Sequence, residues 1–253
     1  SGVCAGRENL MEKQFAQWME EECSQIGVTL SEKQMEQFFQ YYEMLIQWNE
    51  VMNLTAITEM DQVVTKHFVD SMSLVKAVSE LGSKEIRIMD LGTGAGFPGI
   101  PLKIAFPNLK LTLLDSLNKR VKFLNEVIGT LGLEKIEAVH GRAEDFGRNP
   151  EYRGQFDLCV SRAVANLATL SEYCMPFVKV GGAFIPYKSG KVEEELNQAR
   201  GAVKLLGGKI ENAVSFELPK TEGERTLVVI RKVEATAKKY PRKAGMPGKE
   251  PLK

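Results

Sequence analysis

The chain has 253 residues, of which 43% are hydrophobic and 26% charged, with 33 lysines and arginines balancing 33 aspartates and glutamates. That length suits one α/β domain of about 150–200 residues with an appendage, and the composition excludes wholesale disorder. No apolar run approaches the roughly 18 residues that a membrane helix needs and no charged-then-apolar leader opens the chain, so a soluble cytoplasmic protein without a membrane partner is expected.

In chain order, Met11 offers a translation start, which would leave residues 1–10 as an appended leader. Between Glu8 and Gln62 eleven acids face two bases, whereas Arg231 to Lys253 holds eight bases against two acids. Electrostatic recognition is local, so overall neutrality does not argue against a polyanionic partner. Residues 11–82 read as a helical extension. Ser31 and Gln34 form a capping box, after which Met35, Phe38, Phe39, Tyr42, Leu45 and Ile46 recur on one helical face. A further helix is expected over Met60–Leu81, ended by Gly82.

From residue 83 the period changes. Strands are expected at Ile86–Asp90, Leu109–Asp115, Ile136–His140, Phe156–Ser161 and, after a Gly181-Gly182 turn, Ala183–Pro186. A helix over Val192–Leu206 and a final pair at Ile210–Leu218 and Arg225–Lys232 follow. Strands alternating with helices imply a doubly wound, mostly parallel α/β sheet over residues 83–233. Residues 234–253 are basic and mix Pro, Gly and Tyr240, which suits an extended tail that orders on a phosphate backbone.

The chemistry-bearing motif lies between the first strand and its helix: Asp90-Leu-Gly92-Thr-Gly94-Ala-Gly96-Phe97-Pro-Gly99. Glycines there let the backbone turn tightly and approach a ligand. Read from Gly94 the loop also matches GxGxxG, so an NAD-dependent oxidoreductase competes. Asp90, two residues before the first glycine, makes the loop resemble motif I of class I S-adenosylmethionine-dependent methyltransferases. Asp115 could bind the ribose hydroxyls of either cofactor, and Ala143-Glu144 fall where such methyltransferases hold adenine. The acid-flanked loop has no lysine, which suits a sulfonium cation rather than a phosphate.

No Asn/Asp-Pro-Pro-aromatic segment follows the fourth strand, and Cys159 sits inside an apolar run as a core residue would, so amine and carbon methylation are disfavoured. The four cysteines form no CxxC pair and His67 and His140 stand apart, so no metal is expected. Asn53-Leu-Thr55 matches a glycosylation sequon, which has no meaning without secretion.

Taken together, Trp48-Asn49, Asn53–Thr55, His67–Ser71, Asp90–Pro101, Leu114–Arg120, Arg142–Glu144, Ser161–Ala165 and Gly223–Ile230 run in an order that resembles the RsmG/GidB family, over roughly Leu30 to Leu252. The resemblance implies a class I methyltransferase fold with a Rossmann-like, seven-stranded sheet and an N-terminal helical extension. It implies methylation of guanine N7 in small-subunit ribosomal RNA, alone or in the subunit, by a monomer using S-adenosylmethionine. It also implies that Gly92, Phe97, Ala143, Glu144 and Arg162 contact the cofactor, and that Asn53, His67, Lys188 and Arg225 place the substrate. A noncatalytic RNA-binding assembly factor remains the other alternative.

Overall fold

Two helices, α1 (Gly2–Gln25) and α2 (Glu32–Met52), open the chain. The computed structural model describes residues 2–221 and 223–253. Of the expected leader, Ser1 lies outside the described residues, and α1 runs unbroken across Leu10 and Met11. The capping box of α2 forms: the Ser31 amide donates to Gln34 Oε1 at 2.8 Å and the Gln34 amide donates to Ser31 Oγ at 3.1 Å.

The single helix expected over 60–81 is broken instead into α3 (Met60–Val63), a π turn (Val64–Val69), α4 (Asp70–Met72) and a 3-10 turn (Ser73–Lys76). Three hydroxyls supply the reason. Thr65, Ser71 and Ser73 donate back to the carbonyls of Asp61, His67 and Asp70, which competes with the regular helical ladder. Such π insertions recur at functional sites, and this one carries His67.

Strands and helices then alternate: β1 (Arg87–Leu91), α5 (Gly99–Ala105), β2 (Lys110–Asp115), α6 (Asn118–Leu131), β3 (Ile136–His140), α7 (Ala143–Phe146), β4 (Phe156–Ser161), α8 (Leu167–Cys174), β5 (Val178–Ser189), α9 (Glu193–Leu205), β6 (Gly208–Glu217) and β7 (Glu224–Lys232). They form one sheet in the order β3-β2-β1-β4-β5-β7-β6. β1 to β5 pair in parallel, whereas β7 runs antiparallel to both β5 and β6. The Gly181-Gly182 pair is not a turn before β5 but a kink inside it. Gly181 has φ +92°, and a Cβ on Gly182 would collide with the Asp157 carbonyl of β4. The β4–β5 register shifts beside it, between Phe156 and Leu158.

Alternate residues of the buried strands face opposite layers. Ile88, Leu111, Leu113, Val160 and Ile185 pack with Phe15, Met19, Phe38, Tyr41 and Leu45 from α1 and α2. Met89, Leu91, Cys159 and Phe184 pack on the other face with Leu170, Cys174, Ala199 and Val203 from α8 and α9. The N-terminal helices therefore complete the core of the sheet.

The basic segment beyond Lys232 departs from its expected extended form. It folds back onto the protein, ending in α10 (Met246–Lys249), with Tyr240 and Pro247 buried. Arg242 grips the fully buried Glu172 (Nη2 to Oε1 2.8 Å), and the Arg153 guanidinium donates to the carbonyls of Thr236, Ala237 and Tyr240. A buried carboxylate requires such a partner, and Arg242 supplies it. Lys238, Lys239, Lys243 and Lys249 stay exposed.

Because α2 shares its core with the sheet, Phe38→Ala should destabilise the whole protein by about 3–5 kcal/mol in a single urea transition. A separate early transition for the helices would show that they form an independent unit.

Candidate active site

Two adjoining groups of side chains lie at the carboxyl ends of β1, β2 and β4, where ligands bind in open α/β sheets. The first surrounds the glycine loop. Gly92 and Gly94 adopt φ of +69° and +59°, which glycine tolerates best. A Cβ on Gly96 would come within 2.6 Å of the Tyr41 hydroxyl, and one on Gly99 would strike Leu113 and Asp90, so these two glycines serve packing. Ser161 Oγ donates to Leu91 O at 2.9 Å and accepts from Ala163 N at 3.1 Å, tying the ends of β1 and β4 together.

Asp90 is wholly buried, and its Oδ2 accepts from Gly99 N at 2.8 Å and Thr93 Oγ1 at 2.7 Å, while Oδ1 has no partner. Burial pushes its carboxyl up to about 7. A buried side-chain carboxyl thus caps the first amide of α5 from inside the protein.

Asp115 ends β2. Its Oδ2 accepts from Gly94 N at 2.8 Å and its Oδ1 from Leu117 N at 2.9 Å. With Leu91, Gly92, Leu117, Ala143 and Glu144 it lines a cavity of about 500 Å³, within the range of small-molecule sites. Tyr173 and Gly245, which the sequence reading missed, also line it. Gly245 donates its amide to Glu144 Oε2 at 3.0 Å across 101 residues, a separation that no local pattern reveals. Another cavity, of about 460 Å³, opens among Glu80, Lys84, Asp157, Gly182 and Arg231. Its charges are spent on one another, as in Lys84–Glu80 and Lys179–Asp157.

The second group centres on Asp70, 1% exposed, which the sequence reading did not single out. Arg225 of β7 clasps it with two bonds, Nε to Oδ1 at 2.6 Å and Nη2 to Oδ2 at 2.7 Å. Arg162, from the loop after β4, approaches Oδ2 at 3.4 Å, reaches Ser71 Oγ at 3.3 Å and meets His67 Nδ1 at 3.0 Å. The His67 ring stacks on Phe97 with centroids 4.3 Å apart and planes at 10°, and its Nε2 lies 2.8 Å from Thr55 Oγ1. Burial, then the Arg162 charge, holds the imidazole pKa down at about 3, against a weaker pull from the Lys66 backbone.

Of the candidate residues, Gly92, Asp115, Ala143 and Glu144 line the cavity, and Asp90, Gly94 and Gly96 shape the loop. Phe97, His67, Arg162 and Arg225 form the second group. Two others join neither directly. Lys188 donates to Ala165 O at 3.0 Å and pairs with Glu195 at 2.8 Å. Asn53 is the left-handed C-cap of α2, turning the chain toward Thr55. Among the described residues no His/Cys/Asp/Glu cluster could hold a metal, and no helix is long and apolar enough to cross a membrane.

The strand order with its single reversed strand, the acid-led glycine loop and the Asp115–Glu144 cavity define a class I methyltransferase. The structure of TYW2 from M. jannaschii in complex with AdoMet matches with a TM-score of 0.50 and 14% identity, covering 64% of this chain and 76% of that one, a likeness of fold. The chain belongs to the GidB family, rRNA small subunit methyltransferase G, whose model matches residues 34–228. It is 57% identical over 228 residues to ribosomal RNA small subunit methyltransferase G of Lachnoclostridium phytofermentans, covering 90% of this chain and 93% of that protein. With the Staphylococcus saprophyticus protein of the same name it shares 52% over 235 residues, covering 93% and 97%.

Two outcomes follow from this geometry. The unfolded chain takes up a proton at its histidine near 6.5, whereas folded His67 refuses it until about 3. Stability attributable to His67 is therefore full above 6.5 and lost as pH falls toward 3. Urea titrations should show His67→Gln gaining on the wild type between pH 7.5 and pH 5. Arg242→Ala strands the Glu172 carboxylate and should cost about 3 kcal/mol. It should also loosen the Gly245 wall, so calorimetry should find weaker S-adenosylmethionine binding.

Proposed function

We propose that this protein transfers the methyl group of S-adenosylmethionine to N7 of a guanine in small-subunit ribosomal RNA. The observation that carries the acceptor assignment is that the second group offers no side chain ready to take a proton. The His67 Nδ1 lone pair faces Arg162, its Nε2 is bonded to Thr55, and the Asp70 carboxylate is held by two arginines. Guanine N7 presents an unprotonated lone pair on the major-groove edge and needs no base. Cys159 is fully buried with its thiol pKa raised by burial, which is unsuited to attack on a pyrimidine carbon.

The donor residues fit the cofactor. The Asp115 and Glu144 carboxylates line the cavity together with Gly92 and Ala143. Bound there, S-adenosylmethionine supplies an electrophilic methyl group. Asp115 is placed to accept the ribose hydroxyls, and Ala143 and Glu144 to hold the adenine. The buried Phe97–His67 stack, with Arg162 over the Phe97 ring, braces the glycine loop beside the cavity. Rate then comes from alignment and from exclusion of water rather than from acid–base groups. The exposed lysines of the docked C-terminal segment are suited to phosphate contacts, which sets position and salt dependence. Small subunits are cytoplasmic, so the protein acts there, and nothing in the site calls for a second copy.

The test uses the special chemistry of N7-methylguanine, whose cationic ring is reduced by borohydride and then cleaved by aniline. Subunits from a strain lacking the enzyme, incubated with it and labelled S-adenosylmethionine, should take up label and break at one guanine. Label without scission would move the methyl to another atom. Absence of both would favour a noncatalytic RNA-binding role.

A further inference from the structure

Resting on the guanine-N7 reading, we propose that Thr55 is a base-specificity residue whose hydroxyl donates a hydrogen bond to O6 of the target guanine. The argument is a count of donors and acceptors. The Arg162 guanidinium has only N–H groups to offer, so His67 Nδ1, 3.0 Å from Arg162 Nη2, must be the acceptor. The imidazole proton is thereby placed on Nε2, which donates to Thr55 Oγ1 at 2.8 Å. The amide of Ile57 donates to the same Oγ1 at 3.0 Å.

A hydroxyl oxygen has two acceptor lone pairs and one hydrogen. Both lone pairs are taken, so Thr55 can act toward anything else only as a donor. No acceptor among the described residues receives its proton. Thr55 is half-buried, on the short segment between α2 and α3, one imidazole away from the ring of Phe97 beside the glycine loop. The Thr55 amide donates to Asn49 Oδ1 at 2.8 Å, which fixes the backbone that carries the hydroxyl.

A donor that cannot become an acceptor discriminates between purines. Guanine shows N7 and O6, both acceptors, on the edge that is methylated, whereas adenine shows N7 beside an N6 amino donor. Against adenine the Thr55 proton would meet another proton. Arg162 thus acts through His67 and Thr55 on the identity of the base, without touching it.

The experiment pairs a protein change with a base change. Small subunits are reconstituted with rRNA bearing either guanine or 2-aminopurine, which keeps N7 and lacks O6, at the methylated position. Wild type should lose about tenfold in kcat/KM on 2-aminopurine, the worth of one lost hydrogen bond. Thr55→Val should lose the same factor on guanine but almost nothing more on 2-aminopurine, and Thr55→Ser should restore the preference. S-adenosylmethionine affinity, measured alongside, should be the same in all three proteins and reports that the fold is intact. An equal loss by Thr55→Val on both bases, or no loss on guanine, would overturn the role of Thr55 while leaving N7 transfer standing. Failure of wild type to produce aniline-sensitive guanine would instead overturn the N7 reading, and the proposal with it.

Discussion

One carboxylate organises the catalytic end of the molecule. Asp70, nearly without solvent contact, is held by Arg225 from the reversed strand and by Arg162 from the loop after β4. A buried charge costs several kcal/mol unless its hydrogen bonds are met, and meeting them here draws three distant segments to one point. Arg162, so fixed, sets the tautomer of His67, and His67 in turn lies flat on Phe97 of the glycine loop. The register of β7 against β5 places Arg225 opposite Ser189 at this same end of the sheet. Without Asp70 two guanidinium groups would face one another beside a neutral imidazole, and the buried Phe97–His67 stack would lose its support.

Carboxyl groups divide their labour by environment. Asp90 is sealed behind the loop, and this burial disfavours its charge despite the hydrogen bonds by which it satisfies the turn. Asp115, one strand over, lines the cavity while holding the Gly94 and Leu117 amides. The same residue type plays two structural parts because one is wholly enclosed and the other lines a cavity.

Much of this was legible from local pattern. The capping box at Ser31, the first four strands and the acid-led glycine loop each depend on residues within about ten positions of one another, and they appear within a residue or two of where the sequence places them. What escaped depends on distance or on competition. The π turn at Val64–Val69 arises because three hydroxyls compete for helical carbonyls, which periodicity alone does not register. The Gly181-Gly182 kink looks like a turn until the neighbouring β4 carbonyl is known to lie against it. Asp70 and Arg225 are 155 residues apart, and the basic segment reads as a free arm because Glu172, its buried anchor, lies in an unremarkable helical stretch.

The docked C-terminal segment gives the Asp115–Glu144 cavity an order in time. Ribosomes release a chain from its N-terminus at about 5–20 residues per second, and Gly245 emerges 101 residues after Glu144, its partner in the pocket wall. For roughly 5 to 20 s of synthesis the glycine loop, Asp115 and Glu144 exist without the segment that closes around them. A nascent chain therefore lacks one wall of the Asp115–Glu144 cavity until Gly245 has been made and docked.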